Sequence, residues 1–409
     1  TLYVNMRDNF MDCPTRERAM WWGDVVVSSV QSYYAFSPDV YLLTQKAIKE
    51  LVHWQTKEGV LYSPIPGPHP PLIFGPYREL PLQSLAAVSK LCLGYYHLFS
   101  GDTATLVKAY PAVKKYLSLW EMGDDGLVIH RDGKWNWQDW GTDIDVPLLD
   151  NAWYYSALDM AKQIAVLSNK PADTIPYAQR MESIKENFNR LFWTGTEYRS
   201  PSYMKATDDR GNAMAVVTGI ADEDKWDEIR LVLNKEQHAS PYMEKFVLEA
   251  LLKIEATQDA LERMKRRYTE MVESKVTTLP ESWYFNSFSQ SRNHGWSGGP
   301  LSLLMQYVAG VIPIKPAYEE FMISPQIGNL EYVNAVIPAP TGNIEINISN
   351  KEDYIIEVKI PDETKAFVHL PEPVTRDKRM YLNKMEIKKL PDFLAPGFYR
   401  LTISKSIND

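Results

Sequence analysis

The residues best suited to chemistry crowd the start of the sequence, in Asp12-Cys-Pro-Thr-Arg16-Glu17-Arg18-Ala-Met-Trp21-Trp22-Gly23-Asp24. Carboxyl groups packed together raise one another's proton affinity, and arginines beside them lower it. Glu17 stands between both influences, with Asp12 and Asp24 on one side of the balance and Arg16 and Arg18 on the other. Glycosidic cleavage uses such a group: a protonated acid at the leaving oxygen and, in the inverting variant, a second carboxylate that activates water on the opposite ring face. A surface loop laced with ion pairs is the plainer reading of this composition. The adjacent indoles of Trp21 and Trp22 speak against it.

A partner carboxylate lies far downstream in Thr277-Thr-Leu-Pro-Glu281-Ser-Trp283, ahead of Ser291-Arg-Asn-His294-Gly-Trp296-Ser-Gly-Gly-Pro300. Glu281 is the candidate base, and His294 is placed to hydrogen-bond a hydroxyl or orient that carboxylate. The competing reading makes Glu281 an acid offsetting a helix macrodipole and His294 a cap. Trp135-Asn-Trp137-Gln-Asp139-Trp140-Gly141 combines three indoles with polar groups, as a sugar subsite does and as a buried aromatic corner also does. Asp143, Asp145, Asp150 and Glu79 are lesser candidates to line a cleft.

Other chemistries fail on context. Gly295-Trp-Ser297-Gly-Gly299 satisfies the Gly-x-Ser-x-Gly pattern, but a nucleophile elbow needs a buried strand before it, and the stretch preceding His294 is polar. The seven His residues show no His-Glu-x-x-His spacing, and no Gly-rich phosphate loop opens a helix, so no metal and no cofactor are expected. A formal net charge of -8 with mixed signs excludes a phosphate-tracking surface, hence no nucleic acid. No apolar run reaches the roughly 20 residues that span a bilayer, so no membrane insertion is expected. Cys13 and Cys92 alone make no disulfide framework and leave the compartment open, as the sequence does the oligomeric state.

The elements that must hold these residues follow from periodicity. Tyr177, Met181, Ile184, Phe188 and Leu191 advance by four and three, the spacing of one helix face. Similar periods near Tyr41 to Trp54, Leu82 to Phe99, Thr103 to Trp120, Ala152 to Leu167, Trp226 to Leu233, Tyr242 to Ile254 and Ala260 to Met271 predict roughly a dozen helices up to Gly310. Pro14 and Gly23 interrupt any helix across the acidic motif, which reads as a loop entering a helix near Val25. After Ile312 the pattern alternates, as in Ile344, Ile346 and Ile348 against Glu345 and Asn347, which predicts a small antiparallel β-sandwich. The expected domains are 1–312, mainly α, and 313–409.

The run Asp12-Cys-Pro-Thr-Arg-Glu-Arg followed by Trp22-Gly23-Asp24 resembles the acidic signature of bacterial α-L-rhamnosidases of glycoside hydrolase family 78. The resemblance covers nearly the whole chain and implies an (α/α)6 barrel, a six-hairpin toroid, followed by the β-sandwich. It further implies an inverting exo-acting α-L-rhamnosidase with Glu17 as general acid and Glu281 as general base, a carbohydrate substrate, and His294 touching the sugar. Asp12, Arg16, Trp21 and Asp24 match positions around the rhamnose ring, and Gln138-Asp139-Trp140 resembles the family's Gly-Asp-Trp segment. Upstream of Thr1 the family's β-domains would be expected. Ala19-Met20-Trp21, Pro280 and the Gly295 to Gly299 segment depart from the family pattern, which keeps open another deoxysugar or a uronic-acid-bearing oligosaccharide, and a glycan-binding role without turnover.

Overall fold

Along the first three hundred residues, helices buried on all sides alternate with helices buried on one face. A computed structural model describes residues 1–66, 79–133, 135–284, 290–375 and 378–404. The chain divides into two units: Thr1–Val30, Tyr41–Tyr96 and Asp102–Pro300 make the first, and Gln31–Val40, His97–Gly101 and Leu301–Asp409 the second. Helix α1 (Trp22–Ala35), which belongs to the first unit up to Val30 and to the second from Gln31, is buried almost throughout. Next, α2 (Tyr41–His53) buries one face through Tyr41, Thr44, Ala47, Ile48 and Leu51. Every residue of α3 (Pro81–Val88) is buried; after α4 (Tyr95–Ser100), α5 (Thr103–Leu117) is again one-faced.

The alternation continues through α6 (Val146–Leu167), the one-faced α7 (Thr174–Phe192), the buried α8 (Asp209–Thr218), the one-faced α9 (Trp226–Lys235), the buried α10 (Pro241–Lys253) and the one-faced α11 (Thr257–Glu273). A helix apolar all round must be enclosed, and an amphipathic one must face solvent. Hairpins of one inner and one outer helix satisfy both, and the unit is the (α/α)6 toroid of six hairpins. No helix among the described residues is long and apolar enough to cross a membrane.

Two local expectations change. The first helix starts at Trp22 rather than near Val25, so Asp24 sits in its first turn and not on the loop. The helix expected from Leu82 to Phe99 is broken at Ser89, whose backbone is extended and whose hydroxyl donates to the Ala86 carbonyl (2.8 Å) and accepts from the Leu91 amide (3.1 Å). The Asp102 side chain caps α5 by accepting from the Thr105 amide at 3.1 Å.

In the second unit β1 (Val311–Pro313), β2 (Glu320–Ile323) and β6 (Lys365–Val368) form one sheet. The other has the order β3-β4-β5-β9-β7-β8, from β3 (Tyr332–Ala339), β4 (Gly342–Ser349), β5 (Tyr354–Ile360), β7 (Met380–Leu382), β8 (Met385–Ile387) and β9 (Gly397–Ile403). Ile344, Ile346 and Ile348 point inward, and Ile356, Val358 and Ile360 beside them do the same. The pairing is antiparallel except that β6 runs parallel to β2, a correction to the all-antiparallel expectation. Three strands of the other sheet intervene between them, a connection long enough to return the chain in the same direction. Tyr33 and Tyr34 of α1 and Phe99 of α4 pack with Tyr318, and the Tyr34 hydroxyl donates to the Val311 carbonyl at 3.1 Å.

Candidate active site

The acidic loop is closed on itself. The Asp12 amide donates to the Ala19 carbonyl (3.0 Å) and the Ala19 amide returns a bond to Asp12 Oδ1 (2.9 Å), so Pro14 to Arg18 bulge outward from a pinned base. Arg18 at the crest has φ of +51°. The loop ends where the Trp22 amide donates to Ser63 Oγ at 3.0 Å, and Ser63 in turn donates to Gln83 of α3 at 2.8 Å. The first turn of α1 then presents Asp24.

Glu281 is held from the other end of the unit. Its amide donates to the Ser291 carbonyl (2.9 Å), the Ser291 amide donates to its Oε2 (2.8 Å), and Trp296 Nε1 donates to its carbonyl (2.9 Å). His294 is fixed beside it by an amide bond to the Leu279 carbonyl at 2.8 Å. Glu281 therefore lies on a tied loop and not at a helix N-terminus, which removes the macrodipole reading. Ser297 is buried in a short 3-10 turn and donates to the Pro280 carbonyl at 2.5 Å, so it braces the Glu281 loop instead of serving as a nucleophile. A Cβ at Gly295 would stand 2.7 Å from Ser28 Oγ, so that hydroxyl would have to turn aside.

The structure brings Asp12, Arg16, Glu17, Asp24, Glu281 and His294 into one cluster. Arg16 is its bridge: Nε donates to Glu17 Oε2, Nη1 lies 3.0 Å from Glu281 Oε2, and Nη2 stands 3.9 Å from Asp12 Oδ2. The side chains of Arg16 and Glu17 are about one-third exposed, 36% and 35%, whereas Asp12 and Glu281 are at 1% and 4%. His294 Nε2 lies 2.9 Å from Asp24 Oδ1 and its Nδ1 3.8 Å from Glu281 Oε2, ion-pair contacts without hydrogen-bond alignment. An imidazole between two carboxylates is thus the buried half of the cluster.

Protons distribute unevenly over it. Burial, reinforced by the nearby Asp24, pushes Asp12 up to about 7. Glu17 goes the other way: burial acts to raise it, but hydrogen bonds from Arg16 and Asp12 outweigh burial and hold its carboxyl below the usual value. Cys13, which the sequence offered only as a redox marker, donates to Asp12 Oδ2 at 3.0 Å and reaches Glu17 Oε2 at 3.5 Å. Burial and Asp12 push that thiol up to about 12. Burial works against a charge on His294, and Asp24 outweighs it, so its proton affinity is raised. Asp12, Cys13 and Glu17 gather potential metal ligands within 4.8 Å. Arg16 already neutralises Glu17 and the thiol keeps its proton, which opposes a cation there.

An aromatic ladder leads outward from His294. The imidazole lies 4.2 Å from the Trp296 ring, Trp296 stacks on Trp137 at 5.8 Å and 8°, and Trp137 meets Trp140 at 5.7 Å. Trp135 touches Trp140 and Trp21, both at 5.9 Å. Trp140 is 45% exposed at the outer end. Asp139 is different from what the sequence suggested. Its oxygens take bonds from Arg210 Nη1 (2.9 Å), the Ser240 amide (2.9 Å) and hydroxyl, and the Gly141 amide (3.1 Å), and its side chain is fully buried. The expected sugar contact is corrected to a structural role, in which Asp139 holds the turn that carries Trp140. Gly141 is required in that turn, because a Cβ would fall 1.9 Å from the His238 carbonyl. Arg210 was not legible, since nothing in the sequence joins it to a residue 71 positions earlier. Glu79 pairs with Arg131 at 2.6 Å, and Asp150 with His130 at 2.7 Å, apart from the cluster.

The family model described as the bacterial alpha-L-rhamnosidase 6 hairpin glycosidase domain matches residues 1–308, and the bacterial alpha-L-rhamnosidase C-terminal domain matches 310–381. No curated protein matches the sequence. Among solved structures the chain is similar to the alpha-L-rhamnosidase of Dictyoglumus thermophilum, with TM-score 0.84 and 22% identity over 98% of this chain and 48% of that one. It is similar to the GH78 family rhamnosidase of Bacillus sp. GL1, with TM-score 0.78 and 20% identity over 91% and 41%. The alpha-L-rhamnosidase of Streptomyces avermitilis complexed with L-rhamnose gives TM-score 0.81 and 18% identity over 98% and 40%. At these identities the likeness carries the fold, and the chain spans less than half the length of each of these proteins.

Proposed function

The chain belongs to the bacterial α-L-rhamnosidase family, and from that membership we propose that it is an inverting exo-α-L-rhamnosidase with Glu17 as general acid and Glu281 as general base. The observation that carries this reading is the convergence of two carboxylates, one from each end of the barrel sequence, on the single guanidinium of Arg16. Glu17, partly open to solvent, donates its proton to the departing glycosidic oxygen. Glu281, oriented by the Ser291 amide, takes a proton from the water that attacks the anomeric carbon. The reaction so written uses no cofactor. The helical unit is the catalytic domain, and the sheet-bearing unit, which begins at Leu301 and takes in Gln31–Val40 and His97–Gly101 rather than starting at 313, accompanies it.

Sugar recognition falls to the groups around these two. Asp24 and His294 offer buried polar atoms with unfilled hydrogen-bond capacity, which vicinal hydroxyls would satisfy. Asp12 and Arg16 adjoin Glu17, and Trp21 and Trp140 give apolar surface for the ring and its methyl group.

Hydrolysis of an aryl α-L-rhamnoside by the wild type, Glu17→Gln and Glu281→Gln tests the roles. Each amide variant is expected to lose about 10²- to 10⁴-fold in kcat, the range for a general acid or base. Full activity in either would remove that residue from its role. Proton NMR of the first-formed sugar is expected to show inverted anomeric configuration; retention would contradict the water-activating role of Glu281.

A further inference from the structure

We propose that Arg16 decides when Glu17 can act as an acid: its guanidinium spans the gap between acid and base, and a bound sugar ring must draw it off Glu17 before the proton is given. This rests on the roles assigned above. In an inverting reaction the ring sits between the two carboxyl groups, with the leaving oxygen on one face and water on the other. The guanidinium that contacts Glu17 through Nε and Glu281 through Nη1 at 3.0 Å occupies the line joining those carboxyl groups. Sugar and guanidinium cannot share it.

The loop permits the movement. Arg16 lies in a bulge outside helix and strand, between the hydrogen-bonded Asp12 and Ala19, and its side chain is about one-third exposed. The planar fork of donors that now grips carboxylates also suits vicinal hydroxyl groups. Once Arg16 leaves, Glu17 loses its nearest cation and with it the main influence holding its carboxyl down, so its proton affinity rises. The proton is already at hand. Asp12 is buried, holds its proton toward neutrality and lies close to Glu17, the Cys13 thiol reaching both carboxyls at 3.0 and 3.5 Å. It passes from Asp12 to Glu17 and then to the glycosidic oxygen as the bond to the anomeric carbon breaks, while Glu281 takes a proton from water and the hydroxide equivalent joins that carbon. Exchange with solvent afterwards restores Asp12 and clears Glu281. Arg16 on this account is a positioning residue, acting through Glu17.

The test is the pH dependence of kcat/KM, which reports the free enzyme, against that of kcat, which reports the complex. In the wild type the basic limb of kcat is expected at higher pH than that of kcat/KM. In Arg16→Gln the two limbs are expected to coincide. Arg16→Lys keeps the charge without the fork, reaches one carboxylate at a time, and should retain part of the separation. Coincident limbs in the wild type, or an unchanged separation in Arg16→Gln, overturn the proposal. Full activity of Glu17→Gln overturns the acid assignment itself, and failure to turn over any rhamnoside overturns both, so the failures are distinguishable.

Discussion

Two regions of the barrel pair arginines with carboxylates, and they do so to opposite ends. Arg263 of α11 is fully buried with all its nitrogens engaged: Nε on Glu244 (2.7 Å), Nη2 on Asp209 (2.8 Å) and Glu244 (2.9 Å), and Nη1 on the Leu233 and Glu236 carbonyls. Arg210 is equally enclosed between Asp208, Asp139 and the carbonyls of Thr142 and Asp143. Arg16 instead is partly open, serves two carboxylates that do not belong to one element, and leaves a third acid holding a proton. Saturated pairs of buried charge fix elements in place, while an under-neutralised, accessible pair can exchange partners.

Breaking a saturated pair should therefore destabilise the fold, and the expected cost is the largest. Arg263→Ala leaves Glu244 and Asp209 buried without their cation, and denaturant unfolding should show a loss of about 3 to 5 kcal/mol. A loss within the scatter of surface mutations would mean that this network is no firmer than the active cluster. An effect smaller at each pH unit comes from Asp12. Asp12 binds a proton more tightly folded than unfolded, so between its ordinary value of 3.8 and about 7 the folded state holds the extra proton. Stability is then full at the acid end and falls as pH rises through that window, by at most about 1.4 kcal/mol per unit. Asp12→Asn should flatten the slope, read from unfolding midpoints at several pH values; an undiminished slope would place the proton elsewhere. The least effect on stability is expected from Trp140→Ala, about 1 kcal/mol, since the half-exposed ring still packs on Trp135 and Trp137. KM for a rhamnoside should nevertheless rise, and an unchanged KM would detach the ladder's outer end from sugar binding.

The helices and strands were legible because burial writes itself into sequence as a period. Tyr177, Met181, Ile184 and Phe188 are buried on α7 where the spacing put them. Ile344, Ile346 and Ile348 alternate into the sheet in the same way. Breaks set by one side chain, such as Ser89, carry no period and were missed. The acidic loop announced itself by crowding, and Glu281 by the loop chemistry around it. What crowding could not reveal was direction. At Glu17 the sequence left like charges and arginines in balance, and Arg16, facing it directly, tips that balance downward. Asp139 shows the same limit: a polar residue among indoles looks like a sugar contact until the distant Arg210 and Ser240 are seen to use up its oxygens.

The aromatic cluster of Tyr33, Tyr34, Phe99 and Tyr318 bears on how the chain is made. The Tyr34 hydroxyl and the Val311 carbonyl are separated by 277 positions, so the second unit cannot complete its core until nearly the whole barrel has been synthesised. Contacts of such high sequence separation form late and slowly. Until then two tyrosines and a phenylalanine remain uncovered on a nascent chain, where chaperones bind and aggregation begins. The same arrangement means that cleaving the finished polypeptide near Leu301 yields no self-sufficient C-terminal fragment, because its core includes side chains from residues 31–40 and 97–101.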